Sequence, residues 1–350
     1  MGVQRKHMLF FMATLILISI SFHMMNWRNS IVDKQIKSNS QELPLSTVEL
    51  LPSGSSRLDP IFAYLTQTEK CLPTHWMAND HLGNSSGCNC HVYVLSYKEP
   101  CFQNSSHMFY FHDKSLFWTG GRNLLFFAAR KRSYLYYILF DDDIKLIYNH
   151  FTPKPFIDKK ISPLKIFTDY LLDDLPAAAA TAYNVDAPIL AVRNKWRNKC
   201  KRTDNPKTYS MYHIDAAFNA FHRDTAALLL PYYDKHDKKC VWLSQIFLLF
   251  KFQLMFYGRF EYFSFLTTFN TAHRYSYEGL VAHLEDPVIR EDVVDAIRQQ
   301  TPPEYKNHPR FLSMKYYDFK RDYAGVLCVN PPKRRTPIIP YQNMKPIEIF

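Results

Sequence analysis

One apolar stretch that runs directly into three aspartates constrains this chain more than any other feature. Residues 134–140 read Tyr-Leu-Tyr-Tyr-Ile-Leu-Phe, and Asp141, Asp142 and Asp143 follow without a break. A short run of β-favouring apolar residues predicts a buried strand. Adjacent carboxylates repel one another, so this cluster is costly unless a cation neutralises it. A solvated acidic turn is the alternative, but the preceding strand favours a site for a hard divalent cation and a diphosphate.

An uncharged apolar segment lies near the beginning of the sequence. Residues 8–25 include no Asp, Glu, Lys or Arg over 18 positions. At about 1.5 Å per residue, a helix of this length just crosses a bilayer core of about 30 Å. We therefore predict a cytosolic tail at 1–7 and an uncleaved single-span anchor at 8–25. A signal peptide cleaved near 19–21 is the alternative.

The rest of the chain divides by composition into three parts. Residues 26–69 contain Ser- and Pro-containing stretches without sustained periodicity, which is typical of a flexible stem. Residues 70–330 carry aromatic side chains throughout and are numerous enough for one domain with a sizeable core. Residues 331–350 are basic and interrupted by prolines, and are predicted to be an extended tail.

The cysteines and two tripeptides agree with a lumenal placement. All seven cysteines lie beyond the apolar segment, at positions 71, 88, 90, 101, 200, 240 and 328. In an oxidising lumen we expect most of them to pair and one thiol to remain. Cys88 and Cys90 stand too close for a usual zinc knuckle, so we interpret the first four cysteines as disulfide staples whose connectivity stays open. Asn84 and Asn104 each begin an N-glycosylation tripeptide.

Apolar periodicity predicts alternating strands and helices over the domain. In chain order we expect a strand at 91–97, a helix capped by Thr119 and running to 132, a strand at 134–140, a helix beginning at Ser162-Pro163, a strand at 216–221, a helix at 223–230 and a core helix at 246–263. This order predicts an α/β domain with a largely parallel sheet. Lys251 and Arg259 inside the last apolar run argue against a second membrane span.

Several chemistries are excluded by the sequence. With nine glycines, the chain contains no G-x-G-x-x-G, no phosphate loop and no G-x-S-x-G elbow. None of the 14 histidines is followed by Glu, which excludes the H-E-x-x-H zinc motif. A net charge of +11 would suit nucleic acid in the cytosol. The predicted lumenal placement argues against a nucleic-acid partner, and an anionic glycan or phosphorylated lipid acceptor stays open.

These features together resemble a Golgi type II membrane glycosyltransferase of the GT-A fold. The stretch from Gly121-Arg-Asn-Leu-Leu125 to the three aspartates is similar to the helix, strand and DxD unit of that fold. The resemblance is specific over 118–146, suggestive at 213–222 and 242–245, and architectural elsewhere. It implies a GT-A-like, Rossmann-type, mostly parallel sheet flanked by helices and preceded by one transmembrane helix and a flexible stem. The protein would lie in the Golgi membrane with its catalytic domain in the lumen.

The resemblance also implies a donor site. The donor would be a nucleotide sugar, with a UDP-sugar as first choice, and its diphosphate would be bridged to the protein by Mn²⁺ or Mg²⁺. Asp143 and Asp141 would be metal ligands, Asp141 would also reach the ribose, and Asp142 would be auxiliary. Arg122 and Asn123 would contact the donor. For Arg122, a surface salt bridge is an equal alternative.

The acceptor would be a glycan, glycoprotein or glycolipid, and its hydroxyl needs a base. We predict Asp237 as the base and Asp215 as an acceptor-side contact, although each is also a natural cap or turn residue. His273 is a candidate third metal ligand, since GT-A enzymes often use a late histidine. A lumenal metal-dependent phosphohydrolase and a non-catalytic anchored binding protein are the alternative functions. The donor sugar, the acceptor and the stereochemical outcome are not determined by the sequence.

Overall fold

The computed structural model describes the chain from residue 60 onward, with gaps, and this part includes the last ten residues of the predicted stem. The described residues are 60–78, 82–83, 85–103, 105–184, 189–201, 206–212, 215–270, 286–312 and 327–328. The predicted tail and anchor, residues 26–59 of the predicted stem, the C-terminal tail, His273, Asn84 and Asn104 lie outside them. Among the described residues, no helix has the length and apolar character needed to cross a bilayer.

The described residues form nine strands and ten α-helices. The strands are β1 (Phe62–Thr68), β2 (Cys90–Ser96), β3 (Met108–His112), β4 (Tyr136–Asp141), β5 (Ile144–Tyr148), β6 (Ala178–Tyr183), β7 (Thr208–Met211), β8 (Phe218–His222) and β9 (Phe260–Asn270). The helices are α1 (Thr74–Ala78), α2 (Ser85–Cys88), α3 (Trp118–Ala129), α4 (Lys154–Asp158), α5 (Pro163–Asp174), α6 (Ile189–Cys200), α7 (Arg223–Leu229), α8 (Trp242–Met255), α9 (Pro287–Gln300) and α10 (Pro309–Leu312), with a 3₁₀ turn at Pro303–Tyr305.

All nine strands belong to one mixed sheet, which confirms the predicted α/β class. The strand order is β3-β2-β1-β4-β8-β6-β9-β5, and β7 pairs with β9 beside this path. β1 to β4 run parallel, β8 is antiparallel to both β4 and β6, and β6 is parallel to β9. Because β5 and β7 are antiparallel to β9, six of the nine strands point the same way. The reversal at β8 brings its beginning to the edge of the sheet where β4 ends.

An apolar cluster covers each face of the sheet. On β4, Leu139 belongs to the cluster that includes α3, α6 and α8, whereas Ile138 and Phe140 belong to the cluster that includes α5. This alternation is what a strand buried on both faces requires. It turns the side chain of Asp141 to the same face as Leu139, toward α3.

The predicted boundary between stem and domain at residue 70 is wrong. β1 covers Phe62–Thr68 and lies inside the sheet, paired in parallel with β2 on one side and β4 on the other. The stretch Phe-Ala-Tyr-Leu-Thr-Gln-Thr carries four β-favouring residues at alternate positions, so a local strand signal was present. Its burial depends on two neighbours that come later in the chain, which is why composition alone assigned it to the stem.

The long apolar run near the end of the domain is divided between two elements. The sequence predicted one core helix at 246–263, but α8 ends at Met255 and β9 begins at Phe260. Gly258 between them has a φ of 76°, a left-handed conformation that glycine adopts without a steric penalty. The same apolar residues therefore serve a buried helix and a buried strand, which periodicity cannot separate.

The cysteines pair as expected from an oxidising compartment. Disulfides join Cys71 to Cys101, Cys88 to Cys90 and Cys200 to Cys328, and Cys240 is a buried thiol that belongs to none of these disulfides. The first of these connects the segments that follow β1 and β2. It thus holds together two loops at the edge where the parallel strands end.

Candidate functional site

The three aspartates form the turn between β4 and β5. Asp141 is the last residue of β4, and Asp142 and Asp143 make the turn into β5. The indole Nε1 of Trp76 donates to the backbone oxygen of Asp142 at 3.2 Å, and Nε2 of His75 lies 3.0 Å from the backbone oxygen of Ile144. Two aromatic side chains of α1 therefore contact the backbone of the acidic turn.

Asp141 is held from the opposite face by a buried arginine. Arg122 is only 2% exposed, and its Nη2 donates to Oδ1 of Asp141 at 2.6 Å. Its Nη1 donates to the backbone oxygen of Ala216 at 2.9 Å, just before β8. The guanidinium carbon lies 3.9 Å from the centroid of the Trp118 ring, and Nε1 of Trp118 lies 3.4 Å from the same Asp141 oxygen. In this structure Arg122 therefore orients Asp141, as a buried ion pair rather than a surface one.

A glycine allows α3 to approach the sheet closely enough for these contacts. A Cβ on Gly121 would lie 2.0 Å from Oε1 of Gln67 and 2.7 Å from Cδ2 of Leu95. Gln67 in turn donates to the backbone oxygen of Trp118 at 2.6 Å. The first turn of α3 thus rests directly on β1 and β2. No larger side chain fits at this position without movement of its neighbours.

Asn123 binds the segment that follows α7. Its Oδ1 accepts a hydrogen bond from the backbone N–H of Tyr232 at 2.8 Å, and its Nδ2 donates to the backbone oxygen of the same residue at 2.8 Å. The Nδ2 also lies 3.4 Å from Oδ2 of Asp234. The predicted donor contact of Asn123 stays a prediction, and the contacts that the structure shows are to the protein itself.

Asp237 makes two hydrogen bonds to the beginning of α3. It is 7% exposed, its Oδ1 accepts from the backbone N–H of Thr119 at 3.0 Å, and its Oδ2 accepts from that of Gly120 at 2.8 Å. The prediction that Thr119 caps this helix is wrong, because Thr119 is the second residue of α3 and its hydroxyl donates to Ser244 Oγ at 3.1 Å. The role of Asp237 as base stays a prediction, but both of its oxygens act here as a helix cap.

Asp215 lies at the same edge of the sheet, just before β8. Its Oδ1 accepts from the backbone N–H of Ala217 at 2.7 Å, and its backbone oxygen accepts from Nδ2 of Asn219 at 2.9 Å. The backbone N–H of Asp141 donates to the oxygen of Ala217 at 2.9 Å. Asp215 therefore lies on the segment that contacts Asp141, and Asp237 lies on the segment that contacts α3.

The donor atoms of the turn suit a hard cation that is shared with a ligand. Among the described residues, no group of three or more His, Cys, Asp or Glu side chains is arranged to hold a metal ion. One oxygen of Asp141 already accepts from Arg122. Mg²⁺ is usually held by one or two carboxylates together with substrate phosphates, so Asp143, with Asp141 as a second carboxylate, fits this lower requirement. The predicted ligand His273 lies outside the described residues.

Sequence reasoning missed two groups that complete the site. Trp118 stands four residues before Arg122, which places both on one face of a helix, so their spacing was a usable signal. The backbone oxygen of Ala216 was not foreseeable, because it depends on the antiparallel pairing of β8 with β4.

Comparison with known proteins gives only distant similarities. No protein-family model matches the sequence, and no curated protein matches it. The structure is similar to a mannosyltransferase from Pyrobaculum calidifontis in complex with GDP-Man and Mn²⁺, at 12% identity and a TM-score of 0.38, covering 71% of this chain and 67% of that one. It is similar to S. aureus TarS in complex with UDP-GlcNAc, at 12% identity and a TM-score of 0.38, covering 68% of this chain and 66% of that one. It is similar to GalNAc-T7 with UDP, GalNAc and Mn²⁺, at 10% identity and a TM-score of 0.42, covering 74% of this chain and 53% of that one.

This chain covers only part of each of the three matched structures. The chain spans about two thirds of the first two structures and about half of the third. With TM-scores of 0.38 to 0.42, the likeness carries no argument about fold family or activity. The function proposed next therefore rests on the geometry and sequence of this chain.

Proposed function

We propose that this protein is a GT-A-type glycosyltransferase that moves a sugar from a nucleotide-sugar donor to a glycan, glycoprotein or glycolipid acceptor. The observation that carries the proposal is the acidic turn after β4, whose first aspartate is fixed by the buried Arg122. Six of the nine strands end at this edge of the sheet. In open α/β sheets, ligands bind outside the carboxyl ends of the strands.

Each side chain of the turn has a distinct task in this proposal. Asp143, half-buried in the turn, would hold the cation that binds the donor diphosphate. A bound Mn²⁺ or Mg²⁺ would supply Lewis-acid stabilisation of the leaving diphosphate. Asp141, oriented by Arg122 and Trp118, accepts a hydrogen bond from the ribose of the donor. Asp142 is 8% exposed and supports the turn.

The acceptor hydroxyl requires a carboxylate within hydrogen-bond reach. Both oxygens of Asp237 accept hydrogen bonds from α3, so Asp237 is the weaker of the two predicted candidates. Asp215 lies on the segment that contacts Asp141 through Ala217. We therefore assign the acceptor side of the site to Asp215.

We further propose a UDP-sugar as donor and a Golgi location with type II topology. The uncharged segment at 8–25 and the Ser- and Pro-containing stretch after it support an anchor and a stem. The three disulfides support an oxidising compartment.

Exchange of Asp143 for Asn tests the site directly. Asp143→Asn keeps the size of the side chain and removes one charge from the proposed cation site. We expect turnover of the donor to fall on the order of 100-fold and its dependence on Mn²⁺ to be lost, because the cation contributes several kcal/mol. The melting temperature should hold or rise slightly, since repulsion between like charges is relieved. Asp142→Asn should reduce turnover less.

The half-exposed Asp169 on α5 provides a matched control, because Asp169→Asn removes the same charge from a residue outside the turn. Incubation of the wild-type protein with Mn²⁺ and a panel of nucleotide sugars separates the three functions. Release of the nucleotide supports a transferase, and release of inorganic phosphate indicates a phosphohydrolase. Neither product would indicate a binding protein. Unchanged Mn²⁺ binding in Asp143→Asn would show that the cluster is an acidic turn only.

A further inference from the structure

The first turn of α3 is capped by a carboxylate from a distant part of the chain. The residue before this helix is Phe117, whose side chain makes no capping hydrogen bond. The first N–H groups of a helix have no partner within the helix and carry partial positive charge. Asp237, which is 118 residues from Thr119, accepts hydrogen bonds from two of them.

We propose that Asp237 is a positioning residue, which fixes the first turn of α3 and thereby orients Trp118 and Arg122 against Asp141. This inference rests on the proposed function, because it assigns Asp237 to the control of the donor site. Asp237 acts through α3, because each of its oxygens accepts a hydrogen bond from a backbone N–H in the first turn of that helix. The inference replaces the role of catalytic base for this residue.

The coupling follows from the order of residues along α3. Trp118 is the first residue of the helix, and Arg122 lies one turn later. Both donate to the same oxygen of Asp141, at 3.4 and 2.6 Å. Asp237 accepts hydrogen bonds from the backbone N–H groups of Thr119 and Gly120, the two residues that follow Trp118. A displacement of this turn would therefore move both groups that fix Asp141.

The segment that carries Asp237 is itself held in place on two sides. Tyr232 exchanges two hydrogen bonds with Asn123 on α3. Lys235 and His236 contact Oδ2 of Asp292 on α9, at 2.8 and 2.9 Å. The carboxylate of Asp237 is thus presented from a fixed segment, as a positioning group requires.

The chain contains a second aspartate cap that serves as a control. Oδ1 of Asp286 accepts from the backbone N–H groups of Val288 at 2.9 Å and Ile289 at 3.4 Å at the beginning of α9. Asp286 therefore does for α9 what Asp237 does for α3. The difference is that α9 carries neither Trp118 nor Arg122, and its contact with the segment of Asp237 is made by Asp292, beyond the two residues that Asp286 caps.

The experiment compares Asp237→Ala with Asp286→Ala in the full-length protein. Binding of UDP and of GDP in the presence of Mn²⁺ is measured by calorimetry, well below both melting temperatures. Both variants should melt earlier than the wild type, because each loses a cap. Only Asp237→Ala should bind the nucleotide more weakly. We expect a loss of affinity of about tenfold, which corresponds to the free energy of one hydrogen bond to a charged group. Asp237→Asn keeps one acceptor oxygen, should have an intermediate effect, and replaces the alanine variant if that variant fails to fold.

A spectroscopic measurement tests the inference even if no nucleotide binds. The contribution of Trp118 to the near-ultraviolet circular dichroism is measured as the difference between the spectra of the wild type and of Trp118→Phe. Asp237→Ala should change this signal and Asp286→Ala should not. If the wild-type protein binds neither nucleotide, the donor proposal fails while this measurement still decides the inference.

Two results would overturn the inference. One is an Asp237→Ala protein that melts earlier but keeps both the Trp118 signal and the wild-type nucleotide affinity, which would make Asp237 an ordinary cap. The other is an Asp237→Asn protein that binds nucleotide as the wild type does but has lost turnover. That result would restore Asp237 as the base.

Discussion

At the scale of single residues, two neighbouring glycines in α3 differ in the space around them. A Cβ on Gly121 would overlap the side chains of Gln67 and Leu95, at 2.0 and 2.7 Å. A Cβ on Gly120 would meet Cδ2 of Leu116 at 3.3 Å and Oδ2 of Asp237 at 3.7 Å. The contact with Leu116 is tight but involves only a side-chain methyl group, and the contact with Asp237 is an ordinary van der Waals contact. We therefore expect Gly121→Ala to destabilise the fold by about 1–3 kcal/mol through overpacking.

Gly120→Ala is the matched control for this prediction, because both exchanges add one methyl group to the same helical turn. Alanine is favoured over glycine in a helix by about 1 kcal/mol, which should offset the small adjustment of Leu116. Urea unfolding of both variants measures the difference. Equal stability of the two variants would show that Gln67 and Leu95 move aside at little cost, and that the close approach of α3 to the sheet is not required.

A buried carboxylate on β9 predicts how stability depends on pH. Glu261 is 2% exposed, and Oη of Tyr170 donates to its Oε2 at 3.0 Å. Burial raises the pKa of Glu261 to about 7 from 4.5, although hydrogen bonds from Thr208 and Tyr170 oppose the shift. The folded state therefore holds the proton more tightly than the unfolded state. The resulting stability is complete below about pH 4.5 and is lost as the pH rises through 7.

Exchange of Glu261 for Gln should remove this dependence. The amide keeps an acceptor for Tyr170 but does not titrate. We expect the free energy of unfolding of Glu261→Gln, relative to the wild type, to increase between pH 5 and pH 8 by up to about 3 kcal/mol. Denaturant unfolding at several pH values measures it. Glu291→Gln, on the exposed side of α9, is the control, and its free energy of unfolding should change with pH as that of the wild type does. The same result for Glu261→Gln would contradict the prediction.

At the scale of secondary-structure elements, β1 is the strand whose place in the sheet bears most directly on the boundary of the domain. It pairs with β2 and β4 over nearly its whole length and therefore joins two parts of the sheet. Every described residue belongs to one compact unit of the chain, which begins at Leu58. The unit that contains the candidate site thus includes residues that composition assigns to the stem.

Truncation tests this boundary. A chain that begins at residue 58 keeps β1 and should unfold cooperatively on heating. A chain that begins at residue 70 lacks β1, leaves two strand edges unpaired and should aggregate. Solubility after secretion behind an added signal peptide, and thermal unfolding by far-ultraviolet circular dichroism, compare the two. Cooperative unfolding of the shorter chain would mean that β2 and β4 do not need β1.

At the scale of the whole molecule, the prediction concerns attachment to a membrane. If residues 8–25 are an uncleaved anchor, the full-length protein should stay with membranes at alkaline pH and keep this segment at its N-terminus. The chain that begins at residue 58 should be released under the same conditions. A mature N-terminus at or after Phe22 would show that the segment is a cleaved signal peptide. An endoglycosidase shift would show whether the tripeptides at Asn84 and Asn104 are used.

Local sequence patterns were sufficient for several parts of the fold and the site. The apolar run before Asp141 predicted β4, and the acidic turn follows it as expected. Ser162-Pro163 predicted the beginning of α5, and the segment at 223–230 predicted α7 within one residue. Each of these features depends on residues within a few positions of one another, so each is visible in the sequence.

Features that join distant parts of the chain were decided by the tertiary structure. The central place of β1, the reversed direction of β8 and the cap that Asp237 places on α3 could not be read from neighbouring residues. In each case the partner lies tens of residues away or more, and a single sequence records no pairing between such positions. Local propensity therefore determined which segments became strands and helices, whereas burial of apolar surface and pairing of backbone groups between them decided where Asp141, Arg122 and Asp237 meet.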